Sequence, residues 1–117
     1  VTEHDEMGVM ISCAVELLQP KTVLDIGSST GQGTMTVLIN ALTHLMSNFG
    51  SSHRLFGIEA SEARFQRLVE LTSKYPFVEV VHGPSVVASE MPQDRDFLSF
   101  YFNVWTSLNA YGLDNLF

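Results

Sequence analysis

The stretch from Val23 to Gly33 limits what this chain can fold into more than any other feature. It reads Val-Leu-Asp-Ile-Gly-Ser-Ser-Thr-Gly-Gln-Gly, a short apolar run followed by a loop of small residues. A short apolar run that ends in a Gly/Ser/Thr cluster is typical of a strand buried on both faces of a parallel sheet. Apolar residues recur at helical spacing after the loop, at Met35, Leu38, Ile39, Leu42, Leu45 and Met46. The stretch therefore predicts a strand, a glycine-rich turn and a helix in succession.

The same alternation continues along the chain. Strands are predicted at Thr22 to Ile26, Leu55 to Ile58 and Phe77 to Val81. Ser61 is expected to cap the helix between the second and third strands, with an inward face of Phe65, Leu68, Val69, Leu71 and Thr72. This order predicts an α/β, doubly wound, Rossmann-like parallel sheet with right-handed crossovers. Only about three strands fall within the chain, so we expect the first half of such a fold, with strand one at an open edge.

A helix is also predicted before the first strand. Thr2 or Asp5 is expected to cap it, and Gln19 and Pro20 end it. We expect its broad apolar face to be buried, and Cys13 with it. The face consists of Met7, Met10, Ile11, Ala14, Val15, Leu17 and Leu18.

The C-terminal third carries weaker signals. A short helix is predicted from Ser85 to Glu90, a turn from Met91 to Arg95, and helical pieces in the aromatic-rich segment from Phe97 to Phe117. We interpret residues 1–117 as a single domain truncated at its C-terminus. Four polar residues of the last segment suit either an acceptor pocket or turns, namely Asn103, Thr106, Ser107 and Asn109.

Composition narrows the partners. The chain has thirteen acidic residues and six scattered Lys and Arg, which gives a net charge of −7. This charge disfavours nucleic acid as a partner and favours a small molecule or a protein. A single cysteine excludes an internal disulfide, and the four histidines lack metal-ligand spacing, so no metal is expected. Acidic residues near the N-terminus are unlike a signal peptide, and no apolar run has bilayer-spanning length. These features predict a cytoplasmic location and no membrane partner.

The loop after strand one lies where doubly wound folds bind ligands, at the carboxyl end of the sheet. Glycines there allow a tight turn and a close approach of the backbone to a ligand. A carboxylate at Asp25 beside the loop would attract a cationic ligand and repel a pyrophosphate.

With Asp25 and this turn, the chain resembles the class I S-adenosylmethionine-dependent methyltransferases, whose first motif is an acidic residue followed by a glycine-rich turn. The family's Gly-x-Gly-x-Gly spacing falls on Gly27, Ser29 and Gly31, so that serine replaces the middle glycine. Gly33 lies outside this triplet, and we expect it to allow close helix packing. The resemblance implies an enzyme that transfers a methyl group from S-adenosylmethionine to an unidentified acceptor.

The resemblance also implies a set of cofactor-binding residues. Glu59 ends strand two, where these enzymes hold the two ribose hydroxyls with an acidic side chain, and Ser85 lies where the family places a polar residue against the adenine amino group. Apart from the resemblance, His82 is a further pocket candidate, because it lies just after strand three at the carboxyl end of the sheet. The full expected set is Asp25, Gly27, Ser28, Ser29, Gly31, Glu59, Ala60 and Ser85. No catalytic residue is identified.

Two alternatives remain open. The glycines also fit an NAD(P)-dependent short-chain dehydrogenase, although Ile26 stands where that family has Thr and no Tyr-x-x-x-Lys pair is present. A non-catalytic nucleoside-binding module is the other alternative, because acceptor-side residues are not apparent. A P-loop NTPase fits less well than the dehydrogenase, because no Gly-Lys-Ser/Thr follows the loop. Self-association through the open sheet edge or the aromatic segment is a further prediction.

Overall fold

Helices and strands alternate along residues 1–85, the part of the chain that the computed structural model describes. The elements are α1 (Glu6–Leu18), β1 (Thr22–Ile26), α2 (Thr34–Phe49), β2 (Arg54–Glu59), α3 (Glu62–Thr72) and β3 (Val78–His82). The predicted element order is confirmed, with strand ends that differ by one residue at β2 and β3. The predictions for residues 86–117, including the acceptor-pocket candidates, lie outside the described residues.

The three strands form a parallel sheet in the order β1-β2-β3. In the register, Asp25 lies beside Gly57 and Glu59 lies beside His82. Both crossovers step in the same direction across the sheet, so right-handed connections place α2 and α3 on one face. The described residues therefore form one half of a doubly wound, Rossmann-like α/β fold.

The hydrophobic core lies between that face and the helices. Helix α2 contributes most of the fully buried side chains, since its apolar residues recur every three to four positions along one stripe. Leu55 of β2 and Leu68 of α3 complete the centre of the core, and Val15 joins it from α1. Packing of these side chains fixes the carboxyl ends of β1 and β2, where the predicted site lies.

The expectation that β1 is buried on both faces is wrong for the described residues. Val23 and Asp25 point toward the helices, whereas Leu24 and Ile26 on the other face are 55% and 62% exposed. The reason is the common direction of the two crossovers, which leaves the second face without a helix from residues 1–85. Side chains alternate between faces in a strand, so every second residue is uncovered.

Helix α1 buries a narrower stripe than its sequence predicts. Gly8 and Val15 are buried, but Cys13 and most of the expected face are exposed, including Met7, Met10, Ala14, Leu17 and Leu18. The helix packs mainly against α2, so only the residues on that side lose contact with water. Val69 on α3, also predicted to point inward, is 39% exposed.

Both predicted helix caps form. The Asp5 side chain accepts a hydrogen bond from the Gly8 amide at 2.7 Å, and Ser61 accepts one from the Arg64 amide. Thr2, the alternative cap, instead donates its amide to Asp5. Within residues 1–85, no helix combines the length and apolar character needed to cross a lipid bilayer.

Candidate functional site

The loop between β1 and α2 turns through three residues with left-handed backbone. Gly27, Ser29 and Gly31 have φ angles of 79°, 55° and 85°. The amides of Gly27 and Ser28 both donate to the carbonyl of Ile58 at 2.9 Å, which anchors the loop to the end of β2. Every second residue from 27 to 31 therefore needs a conformation that glycine adopts freely and serine does not.

Glu59 holds the middle of that loop. Its Oε2 accepts a 2.7 Å hydrogen bond from the Ser29 amide, and its Oε1 accepts from the Ser61 amide at 2.9 Å and from Arg64 Nε at 3.1 Å. The residue is only 4% exposed. Burial by itself raises the pKa of the Glu59 carboxyl, but the three donors outweigh it and hold that pKa below its usual value. The side chain is thus an anion presented at the carboxyl end of β2.

Asp25 is the second acidic group of the site and is less well satisfied. It is buried beneath the loop, and its Oδ2 has no hydrogen-bond partner among residues 1–85. Burial raises the pKa of this carboxyl, a shift that the nearby Ser28 hydroxyl partly opposes. An acceptor atom in this state favours an approaching cationic donor.

Two glycines allow the loop to pack closely. A Cβ at Gly31 would lie 2.9 Å from Leu68 Cδ1 of α3, and a Cβ at Gly57 would lie 2.7 Å from the Ser28 hydroxyl and 2.5 Å from Met35 Cε. Gly33 was expected to serve close helix packing, and this expectation is wrong. A Cβ there would meet nothing closer than 3.9 Å, and Gly33 is instead the N-cap of α2. Gly31 provides the close contact with a helix.

The residues after β2 and β3 lie beside Glu59. Ala60 is exposed, and its carbonyl lies 3.1 Å from His82 Nε2. The His82 ring stacks on Phe65 of α3 with centroids 5.1 Å apart. Ser85 is exposed at the last described position, and no hydrogen bond within residues 1–85 ties its side chain to the loop. The structure thus brings Ser29, Glu59, Ala60 and His82 together, with the buried residues Asp25 and Ser28 at the start of the loop.

Arg64 was not singled out in the sequence, although it contacts the central carboxylate of the site. A signal was available, because Arg64 lies one turn after the Ser61 cap and therefore faces back toward the end of β2. His53, by contrast, has a structural environment: it is buried, and its ring nitrogens lie against the Pro20 carbonyl and the Ser51 hydroxyl. Residues 1–85 contain no group of three or more His, Cys, Asp or Glu placed to hold a metal ion.

Comparison with solved structures shows the fold. The chain is similar to a crystal structure from Klebsiella pneumoniae, described as a putative O-methyltransferase, with a TM-score of 0.51 and 20% sequence identity. The match covers 80% of this chain and 42% of that one, so the chain spans less than half the length of its structural neighbour. No protein-family model matches the sequence, and no curated protein matches it. The comparison therefore supports the fold, one half of a doubly wound, Rossmann-like α/β domain.

Proposed function

We propose that this chain binds S-adenosylmethionine and supplies the donor site for methyl transfer. The observation that carries the proposal is the bond between the Ser29 amide and Glu59, which joins the two predicted motif segments into one site. A buried carboxylate at the end of β2 suits a ribose, because it can accept two hydroxyl hydrogens. The fold shared with a protein described as a methyltransferase supports the same proposal.

The residues also suit the charge of this cofactor. S-adenosylmethionine carries an ammonium and a sulfonium, and the unpartnered Oδ2 of Asp25 offers a buried acceptor near the loop. Asp25, Gly27, Ser28, Ser29 and Gly31 would surround the amino-acid part of the cofactor, and Glu59 and Ala60 its ribose. A dinucleotide would instead bring a pyrophosphate toward two carboxylates, which repel it.

When bound, the cofactor would supply an electrophilic methyl carbon for attack by a lone pair of the acceptor, with a neutral thioether as the leaving group and the acceptor's proton released to solvent or a base. This chain would contribute by holding the reactants in line, which is a large part of the catalytic effect in such displacements. We further propose a small-molecule or protein acceptor, because the acidic composition disfavours nucleic acid. The cytoplasmic location expected from the sequence remains a proposal.

Isothermal titration with S-adenosylhomocysteine, the demethylated product, tests the proposal. We expect the wild-type chain to bind it and to bind neither NAD nor NADP. Glu59→Gln should weaken binding about ten- to hundredfold, because hydrogen bonds to a charged acceptor contribute about 1.5–3 kcal/mol. Glu79→Gln is the matched control, since Glu79 on β3 is exposed and pairs only with Arg54 among residues 1–85. Binding of a dinucleotide alone would favour the dehydrogenase alternative.

A further inference from the structure

The carboxylate of Glu59 has too few open acceptor positions for a ribose. Its two oxygens offer about four lone-pair positions. Three are taken, one on Oε2 by the Ser29 amide and two on Oε1 by the Ser61 amide and Arg64 Nε. A ribose diol that donates one hydroxyl to each oxygen needs an open position on both. Oε1 has none until one of its two donors leaves.

Two of the three donors are fixed by the backbone. The Ser29 amide belongs to a loop whose preceding amides are bonded to Ile58, and the Ser61 amide belongs to the N-cap of α3. Neither can move without unfolding part of its element. The donor able to leave Oε1 is therefore the side chain of Arg64.

Arg64 has the properties of a displaceable group. Its side chain is 56% exposed, compared with 5% for the side chain of Glu59. The guanidinium end of this pair faces solvent, where water and salt screen its charge, and the long side chain loses rotamer freedom when it is held. The bond to Glu59 is also the only side-chain hydrogen bond of Arg64 within residues 1–85.

We propose that Arg64 competes with the ribose hydroxyls for Glu59 and thereby sets the affinity of the site for its nucleoside ligand. This inference rests on the proposed function, since it takes the ligand to carry a ribose with both hydroxyls. Arg64 covers the carboxylate in the free protein and swings into solvent when the diol binds. In the free protein, Arg64 balances the charge of Glu59. Because this ion pair must break when the nucleoside binds, it lowers the affinity of the site for that ligand.

Arg64→Met tests the inference, because methionine keeps an apolar stem and removes the donor. We expect S-adenosylhomocysteine to bind this variant about two- to fivefold more tightly than wild type, the range expected when the competing guanidinium is screened by solvent. The 2',3'-dideoxy analogue should bind both proteins equally. Arg67→Met, one turn further along α3 and not bonded to Glu59, is the matched control and should leave both affinities unchanged.

A measurement on the wild-type protein makes the test independent of the variant. The Arg64 Nε–H resonance should shift and exchange faster with water when S-adenosylhomocysteine saturates the site. An unchanged resonance, or equal or weaker binding by Arg64→Met, would overturn the inference while wild-type binding still supports the proposed function. If neither protein binds the nucleoside, both the proposed function and the role of Arg64 fail.

Discussion

The carboxylate of Glu59 accepts a 2.7 Å hydrogen bond from the backbone amide of Ser29, a residue 30 positions earlier in the chain. This bond connects the end of β2 to the middle of the glycine-rich loop. It also holds a serine at a φ of 55°, in a region that L-residues other than glycine seldom adopt. The conformation of the loop and the charge of Glu59 are consequently coupled. A substitution in the loop should alter the ionisation of Glu59, and loss of the Glu59 charge should alter the loop.

Ser29→Gly should stabilise the chain by up to about 1 kcal/mol. Glycine adopts a left-handed backbone without the steric cost that serine bears, although its greater freedom in the unfolded chain offsets part of the gain. The reverse change at Gly27 is the matched comparison. A Cβ at Gly27 would meet nothing within 4 Å, so Gly27→Ala should cost about 1–2 kcal/mol through backbone conformation alone. Urea unfolding measures both. If Ser29→Gly is destabilising, the contacts of the serine side chain stabilise the fold by more than its left-handed backbone destabilises it.

Gly31→Ala should destabilise more than Gly50→Ala. Both glycines have a left-handed backbone, at φ angles of 85° and 63°. They differ in the room available for a side chain. A Cβ at Gly31 would press on Leu68 and Leu71, whereas one at Gly50 would meet no atom within 4 Å. We expect about 2–4 kcal/mol at Gly31 and about 1–2 kcal/mol at Gly50. Equal midpoints in urea for the two variants would show that packing of the loop against α3 contributes little.

Asp25→Asn should stabilise the ligand-free chain at neutral pH and weaken nucleoside binding. Burial raises the pKa of Asp25, so its contribution to stability is present below its unfolded-state pKa and is lost as pH rises through its folded-state pKa. Asparagine removes the unpaired charge, so a gain of about 1 kcal/mol should develop as pH rises from the unfolded-state to the folded-state pKa and be complete above the latter. Thermal unfolding at acidic and neutral pH measures the difference. A loss of stability at neutral pH would indicate that the ionised carboxylate is satisfied in the folded chain.

Glu59→Gln should make the free energy of unfolding depend less on pH in the acidic range. Burial acts to raise the pKa of Glu59, but its three donors lower it overall, so its contribution is present above the unfolded-state pKa and is lost as pH falls through the folded-state pKa. The wild type should exceed the variant by about 1–3 kcal/mol near neutral pH, and the gap should close in acid. Urea unfolding across this range gives the comparison. A constant gap would show that Glu59 acts through packing and not through its charge.

The sequence predicts most of the fold of residues 1–85, because helical and strand spacing, the Asp5 and Ser61 caps and the turn residues all agree. It fails where burial depends on tertiary neighbours. Leu24 and Met10 look like core residues in the sequence, yet each lies on a surface that no described element covers. The alternation of apolar residues identifies a face but does not specify what packs against it.

The candidate site is predictable in its position but not in its hydrogen bonds. The glycine pattern and Glu59 mark the carboxyl end of the sheet, where parallel α/β folds bind ligands. The bond between Arg64 and Glu59 and the unpartnered oxygen of Asp25 depend on side-chain conformations that no sequence motif encodes. Gly31 and Gly33 show the same limit, since only the path of α3 decides which of the two contacts a helix.

The order β1-β2-β3 has a consequence for how the chain folds as it is synthesised. Within residues 1–85, each strand pairs with the next one along the chain, so these pairings do not wait for a distant segment. The unit of β1, α2 and β2 already contains both the Ser29 loop and Glu59. We therefore expect these parts of the site to begin assembling during synthesis, before β3 has emerged from the ribosome.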